Sequence, residues 1–264
     1  MLYNIKYSCV SHKGRVRRLN QDNFFCQGRY LLPERTDTSV ALNGEFSSKD
    51  NQVLAVFDGM GGEECGEIAA YIAAKDVSGL NIGANPASEL SMFCYKANDD
   101  ICNYADLNGI SAMGTTAAIL GFTKKGVSLC NIGDSKIFRF SNSRLEQIST
   151  DHISVAAFGI KPPLSQNLGI PSTEMIIEPY LANGKYHDGD IYLICSDGLT
   201  DMVSPAEISG VLGASDCENA ASALLDLALS NGGRDNITII TVYVQCSTNV
   251  IFDSLMNFLD KKRR

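Results

Sequence analysis

The run Val53-Leu54-Ala55-Val56-Phe57 constrains the chain more than any other stretch, because an unbroken set of branched and aromatic residues stops abruptly at Asp58-Gly59. Nothing in the run alternates with polar residues, so it reads as a buried strand. Asp58 then stands where a core strand surfaces. Gly59, without a Cβ, allows its own carbonyl and a ligand to approach closely. A single Asp-Gly step after a strand is ordinarily only a turn, but the pattern recurs. The Val127–Gly133 run stops at Asp134, Ile191–Cys195 leads into Ser196-Asp197-Gly198, and Asp235 immediately precedes the apolar stretch Asn236–Val244. Asp22, at the end of Arg17-Arg18-Leu19-Asn20-Gln21-Asp22, starts or precedes another strand.

The remaining elements follow from periodicity and breakers. Leu2–Val10 alternates as a strand, and the polar segment Arg35–Gln52, with Asn43-Gly44 inside it, reads as a surface loop or hairpin. Gly66–Leu80 is alanine-rich and helical; Asn85 and Pro86 start a second helix that turns Leu90, Phe93, Ala97, Ile101 and Tyr104 inward. From Gly114 onward the stretches GTTAAILGF, GVSLCNIGDS and KIFRF read as successive strands of an antiparallel meander. Ser149–Pro171, with two consecutive prolines, is an irregular loop. Ser204 with Glu207, and Ser215 with Glu218, have the spacing of capping boxes and open two further helices.

A chain of 264 residues with 45% hydrophobic content buries a full core, and no linker-like stretch divides it. The expectation is one domain over residues 1–246, followed by a helical or flexible basic tail at 247–264. The N-terminus lacks the features of an export signal, and no segment is apolar for long enough to span a membrane, so no membrane partner is expected. Nine cysteines without a Cys-x-x-Cys pair indicate a reducing, cytoplasmic setting. A net charge of −8 argues against nucleic acid as a partner. Of the local basic clusters, only Arg15, Arg17 and Arg18 lie near the recurring aspartates.

Taken one at a time, these aspartates are turn formers or caps. If Asp22, Asp58, Asp134, Asp197 and Asp235 converge, their mutual repulsion in a partly dry site requires cations, and all-oxygen ligands favour magnesium or manganese.

The segments RRLNQDN, VFDGMGG with a following GE and AA, GTT, NIGDS, TDH, CSDGLTDM and GRDNIT run from Arg17 to Thr238. In that order they resemble the metal-dependent serine/threonine protein phosphatases called PP2C (PPM), in their bacterial branch. The resemblance implies an α+β fold: a central β-sandwich of two antiparallel sheets flanked by helices on both outer faces, a four-layer αββα arrangement. It implies two Mn2+ or Mg2+ ions bridged by Asp58, with the Gly59 carbonyl, Asp197 and Asp235 in direct contact and Asp22 reached through water. Asp134 and Asp197 would hold a third ion, and Arg17 would bind phosphate. The implied reaction is direct attack of a metal-bridging water on a phosphoserine or phosphothreonine ester, without a phosphoenzyme. The implied partners are phosphorylated proteins, with a serine/threonine kinase and its substrates.

Several positions depart from the family pattern. Met60 stands where many eukaryotic relatives have a histidine, so a water would protonate the leaving group. Gln21 replaces a usually acidic residue, Lys136 replaces an arginine, and the Ser149–Pro171 loop is short for a full flap beside the cleft. Cys195, on an apolar strand without a cationic environment, reads as packing rather than as a nucleophile. His152 reads as a loop-shaping residue. Two rivals stay open: a catalytically weak phosphoprotein-binding module, and a phosphohydrolase of small esters.

Overall fold

The computed structural model describes residues 2–34, 37–38, 40–60, 65–155 and 162–247. Gly61 and Gly62 of the glycine pair, and residues 248–264 of the expected tail, lie outside the described residues.

The chain begins with β1 (Tyr3–His12), β2 (Asp22–Cys26), β3 (Leu42–Ser47) and β4 (Gln52–Met60), then α1 (Gly66–Asp76) and α2 (Pro86–Asn108). Strands β5 (Gly114–Thr115), β6 (Ala117–Thr123), β7 (Gly126–Ile132), β8 (Lys136–Ser141), β9 (Arg144–Gln147), β10 (Tyr180–Gly184) and β11 (Ile191–Cys195) follow. The last elements are α3 (Asp197–Thr200), α4 (Pro205–Ala214), α5 (Cys217–Ser230) and β12 (Ile237–Cys246). One antiparallel sheet has the order β3-β1-β12-β11-β8-β9, and the other β10-β7-β6-β4-β2, with β5 added to β4.

The two-residue period of a strand divides the side chains between layers. In β4, Val53, Ala55 and Phe57 face the layer shared with α1 and α2. Leu54 and Val56 face the other sheet, alongside Phe24, Leu120, Phe122, Tyr192 and Val242. On the far side, Leu193, Cys195, Ile237 and Ile239 pack against Leu212, Leu224 and Ala228 of α4 and α5. Runs such as VLAVF and IYLIC do not alternate because both of their faces are covered. Each large apolar side chain buried between the sheets contributes about 1.5–3 kcal/mol, and that layer can therefore carry a strained polar end.

Some local expectations change. The segment Arg35–Gln52 contains β3, which joins β1 at the edge of the opposite sheet rather than folding back on β4. Gly44 there marks close packing instead of a hairpin turn, since a Cβ would stand 2.5 Å from the Tyr7 ring. The strands after Gly114 are not one meander. β6 and β7 form a hairpin in one sheet, and after Gly133-Asp134-Ser135 the chain crosses to β8 in the other. Tyr104 is exposed, while Cys94 and Asn98 join the buried face of α2. A single 3₁₀ turn, Val77–Gly79, ends the first helical segment. The Ser204–Glu207 capping box is present, but α5 is capped by Asp216, whose carboxylate accepts the Asn219 N–H at 3.0 Å, and Ser215 instead closes α4.

Between β9 and β10, the described residues carry only the isolated bridges Ile153–Leu164 and Thr115–Leu168. This segment is tied to α2 by Asn98. Its Oδ1 accepts the N–H groups of Gly169 (2.8 Å) and Ile170 (3.0 Å), and its Nδ2 donates to the Ile170 carbonyl at 3.0 Å. Asn98→Leu leaves those backbone groups without partners, so a loss of about 1–3 kcal/mol is expected in urea unfolding. A loss within error would show that the segment is held by other contacts.

Candidate metal centre

At one end of the sandwich, the inward-facing positions of the facing strands change together from aliphatic to polar. The face that carries Leu54 and Val56 continues to Asp58, and the face with Phe24 and Cys26 begins at Asp22. On the same parity, Ser11 follows Cys9, Ser196 follows Ile194, and Thr116, Ser135 and Thr238 precede Ala118, Ile137 and Ile240. Asp22 and Asp58 are directly opposite in the β2–β4 register, a like-charge pair that opposes folding.

The hydroxyls around these acids form two hydrogen-bonded groups, one at Asp22 and one at Asp58. Ser196 Oγ donates to Asp22 Oδ2 at 2.7 Å, linking the two sheets, and accepts the Thr238 N–H at 2.9 Å. Ser11 and Thr238 hydroxyls lie 2.8 Å apart, and those of Thr116 and Ser135 lie 2.6 Å apart. The Asp58 backbone is fixed by the Thr116 hydroxyl, which accepts its N–H at 3.0 Å, and by the Thr115 hydroxyl, which donates to its carbonyl at 3.0 Å. Gly59 is required by close approach: a Cβ there would lie 2.2 Å from the Gly66 carbonyl oxygen and 2.4 Å from that of Gln21.

The electrostatics are those of a site short of positive charge. Burial raises the Asp58 carboxyl well above its ordinary range, and Asp22, Asp197, Asp134 and Asp235 raise it further, in that order. Burial likewise pushes Asp22 up to about 7, against the lowering effect of the Ser196 and Thr238 hydroxyls. Asp22 Oδ1 is buried without a hydrogen-bond partner. The expected aspartates therefore share one field. Among the described residues, however, no group of three or more His, Cys, Asp or Glu closes on a point where one ion would be clasped. The acids ring the cleft, and Arg17 Nη2 holds Asp235 Oδ2 at 2.7 Å while sensing Asp58 and Asp197. All-oxygen donors, uncompensated negative charge and an orphaned buried acceptor fit hard divalent cations.

Residues outside the aspartate set position it. Asn236 Oδ1 accepts the Gln21 N–H at 2.8 Å, and its Nδ2 donates to the carbonyls of Lys13 (2.9 Å) and Leu19 (2.8 Å). With the Arg15 N–H bonded to the Gly233 carbonyl at 2.7 Å, these contacts anchor the Arg17 loop at the start of β12. Gln21 Nε2 lies 3.5 Å from Glu67 Oε2, so an acidic residue at position 21 would face a second carboxylate. His152 Nδ1 accepts the Gly133 N–H at 3.3 Å, and its own N–H donates to the Gly133 carbonyl at 2.9 Å, bracketing the turn that carries Asp134. Lys136 pairs with Asp151. Lys136 also stands opposite Cys195 in the β8–β11 register, so a cation is present beside that thiol, contrary to expectation. Burial nevertheless dominates and raises the Cys195 thiol far above its usual value.

Sequence reasoning missed the hydroxyl frame of Ser11, Thr116, Ser135, Ser196 and Thr238, and the anchor Asn236. The signal was available as strand parity, since each hydroxyl lies two residues from an inward-facing apolar position.

A profile of the Protein phosphatase 2C family matches residues 42–216. The chain belongs to that family. The chain is 29% identical over 254 residues to the serine/threonine phosphatase stp of Listeria monocytogenes, covering 87% of this chain and 92% of the relative. It is 27% identical over 256 residues to the serine/threonine protein phosphatase PstP of Mycobacterium tuberculosis, covering 91% of this chain and 45% of that protein. The catalytic domain of PstP solved with two manganese ions superposes with a TM-score of 0.76 at 26% identity, covering 92% of this chain and all of that one. PppA, a regulatory component of the type VI secretion system in Pseudomonas aeruginosa, superposes at 0.74 with 26% identity, covering 91% and 97%. The sandwich and its outer helices are thus the protein phosphatase 2C fold.

The raised carboxyls set a pH dependence for the metal-free protein. A carboxyl whose folded value lies above its unfolded value favours the folded state when protonated, and that advantage is lost as pH rises from about 4 through about 7 for Asp22. In chelator, Asp58→Asn is expected to raise the melting temperature at about pH 8 by ~2–4 °C per kcal/mol of relieved repulsion, with a smaller gain at about pH 5. A melting temperature lowered equally at both pH values would refute the repulsion.

Proposed function

We infer that the chain is a metal-dependent phosphoprotein phosphatase acting on phosphoserine and phosphothreonine, and that Asp22, Asp58, Gly59, Asp134, Asp197 and Asp235 hold its cations. The observation that carries this reading is the Asp22–Asp58 pair, opposed across β2 and β4 within the field of three further aspartates. Manganese or magnesium bound there would supply the charge that acidifies an attacking water and neutralises the phosphoryl oxygens.

The chain's own groups do the rest. Asp58, held through its backbone by Thr115 and Thr116, presents its carboxylate from a rigid strand end. Ser196 fixes one oxygen of Asp22 and leaves the other buried and unpartnered, where a bound cation or its water would satisfy it. Arg17, on an anchored loop with an exposed guanidinium, is suited to pair with two phosphate oxygens of an incoming substrate. No histidine occupies the position after Asp58-Gly59, so protonation of the departing seryl or threonyl oxygen falls to solvent.

Phosphorylated proteins are the substrates in this reading, set against a serine/threonine kinase in the cytoplasm. The phosphatase domain is assigned to residues 1–246 and the basic segment 247–264 to a tail. Every carboxylate expected of an active site is present, so no specific observation favours a silent binding module.

The test is phosphate release from a phosphothreonine peptide with and without manganese. Metal-dependent release is expected, abolished in Asp58→Asn. Arg17→Ala is expected to lower kcat/KM by about 10- to 100-fold, the loss of a charged hydrogen bond worth about 1.5–3 kcal/mol. Full turnover in Asp58→Asn, or turnover indifferent to metal, would overturn the reading.

A further inference from the structure

A groove of about 430 Å³ reaches Met60, two residues beyond Asp58 on β4, with Met60, Ile110, Met113 and Cys102 among its apolar lining residues and Asp106 and Glu174 among its acidic ones. Among the described residues no lysine or arginine lines it. Among the described residues neither Asp106 nor Glu174 makes an ion pair. Burial raises the Cys102 thiol, and after burial Asp99, Asp106 and Glu174 raise it further; of these acids Asp106 and Glu174 line the groove with Cys102.

The groove wall is linked to Asp58 through the backbone. Met60 follows Asp58-Gly59 on β4, where Gly59 pairs with Thr115 and Met60 with Gly114. Thr115 in turn bridges to Leu168, next to Gly169 and Ile170, which Asn98 holds. The wall is also tightly seated, since a Cβ on Gly114 would lie 2.6 Å from the Leu168 carbonyl oxygen, and one on Gly169 2.3 Å from that of Met113. A peptide whose phosphate sits at Asp58 thus has, two residues along β4, a preformed groove with an apolar lining and acidic groups.

We propose that this groove receives the side chain of an arginine or lysine close in sequence to the phosphorylated serine or threonine, with its methylene stem on Met60, Ile110 and Met113 and its cationic head between Asp106 and Glu174. Long basic side chains suit such a surface because they bury their stems while keeping the charge in water. The acids are exposed, so the preference is modest and weakened by salt. This assignment rests on the phosphatase reading above and names the peptides that it favours.

The experiment uses the full chain with manganese and phosphothreonine peptides in which arginine, glutamine or glutamate is placed in turn at each neighbouring position. Arginine at one or more positions is expected to raise kcat/KM about two- to fivefold over glutamine. The double variant Asp106→Asn/Glu174→Gln should erase that difference and leave turnover of p-nitrophenyl phosphate unchanged. Equal turnover of all peptides by the wild type, or an arginine preference that survives in the double variant, overturns the groove assignment while leaving the phosphatase reading intact. No metal-dependent release from any peptide overturns both.

Discussion

The repulsion between Asp22 and Asp58 is the constraint around which the rest of the structure is arranged. Their register makes them direct cross-strand neighbours, and their parity sets both at the end of the space between the sheets, where Asp22 is buried and Asp58 half-buried. An arrangement of this kind survives only if a larger favourable term holds it. That term is the apolar layer behind it, in which Leu54, Phe24, Leu120 and Tyr192 are fully or almost fully buried. The core therefore does more than stabilise the domain: it holds two carboxylates opposite one another across β2 and β4, a proximity that a cation would make favourable in the proposed function.

The hydroxyl frame explains how that strain stays local. Ser196, Thr238, Ser11, Thr116 and Ser135 bond to the acids, to each other or to the backbone, so the polar end of the layer has few unsatisfied groups apart from Asp22 Oδ1. Neutral donors of this kind hold the carboxylates in place without cancelling their charge, whereas a lysine among them would occupy the role of the metal. Arg17, paired with Asp235, stands half-exposed on a loop anchored by Asn236 and Gly233.

Much of this was legible in the residues alone. VLAVF and IYLIC announced strands covered on both faces, and Asp58, Asp134, Asp197 and Asp235 announced themselves as acids beside strand ends. What stayed hidden depends on partners distant in sequence. The change of sheet after Asp134 looked like one more turn of a meander, because a crossover and a hairpin can share the same glycine-rich signal. Asp216 rather than Ser215 caps α5, since adjacent cap-forming residues compete and only the path of the incoming chain decides between them. The serines and threonines of the frame were overlooked because a hydroxyl residue in a strand is unremarkable until strand parity places it beside a carboxylate.

The central claim is that burial and mutual repulsion raise the carboxyls of Asp22 and Asp58, and that a divalent cation would relieve that repulsion. Manganese titration of the full chain by calorimetry, at about pH 6.5 in buffers of different ionisation enthalpy, measures the protons released on binding. The account predicts binding with net proton release, and loss of both in Asp22→Asn/Asp58→Asn. Binding without proton release, or undiminished binding in the double variant, would contradict it.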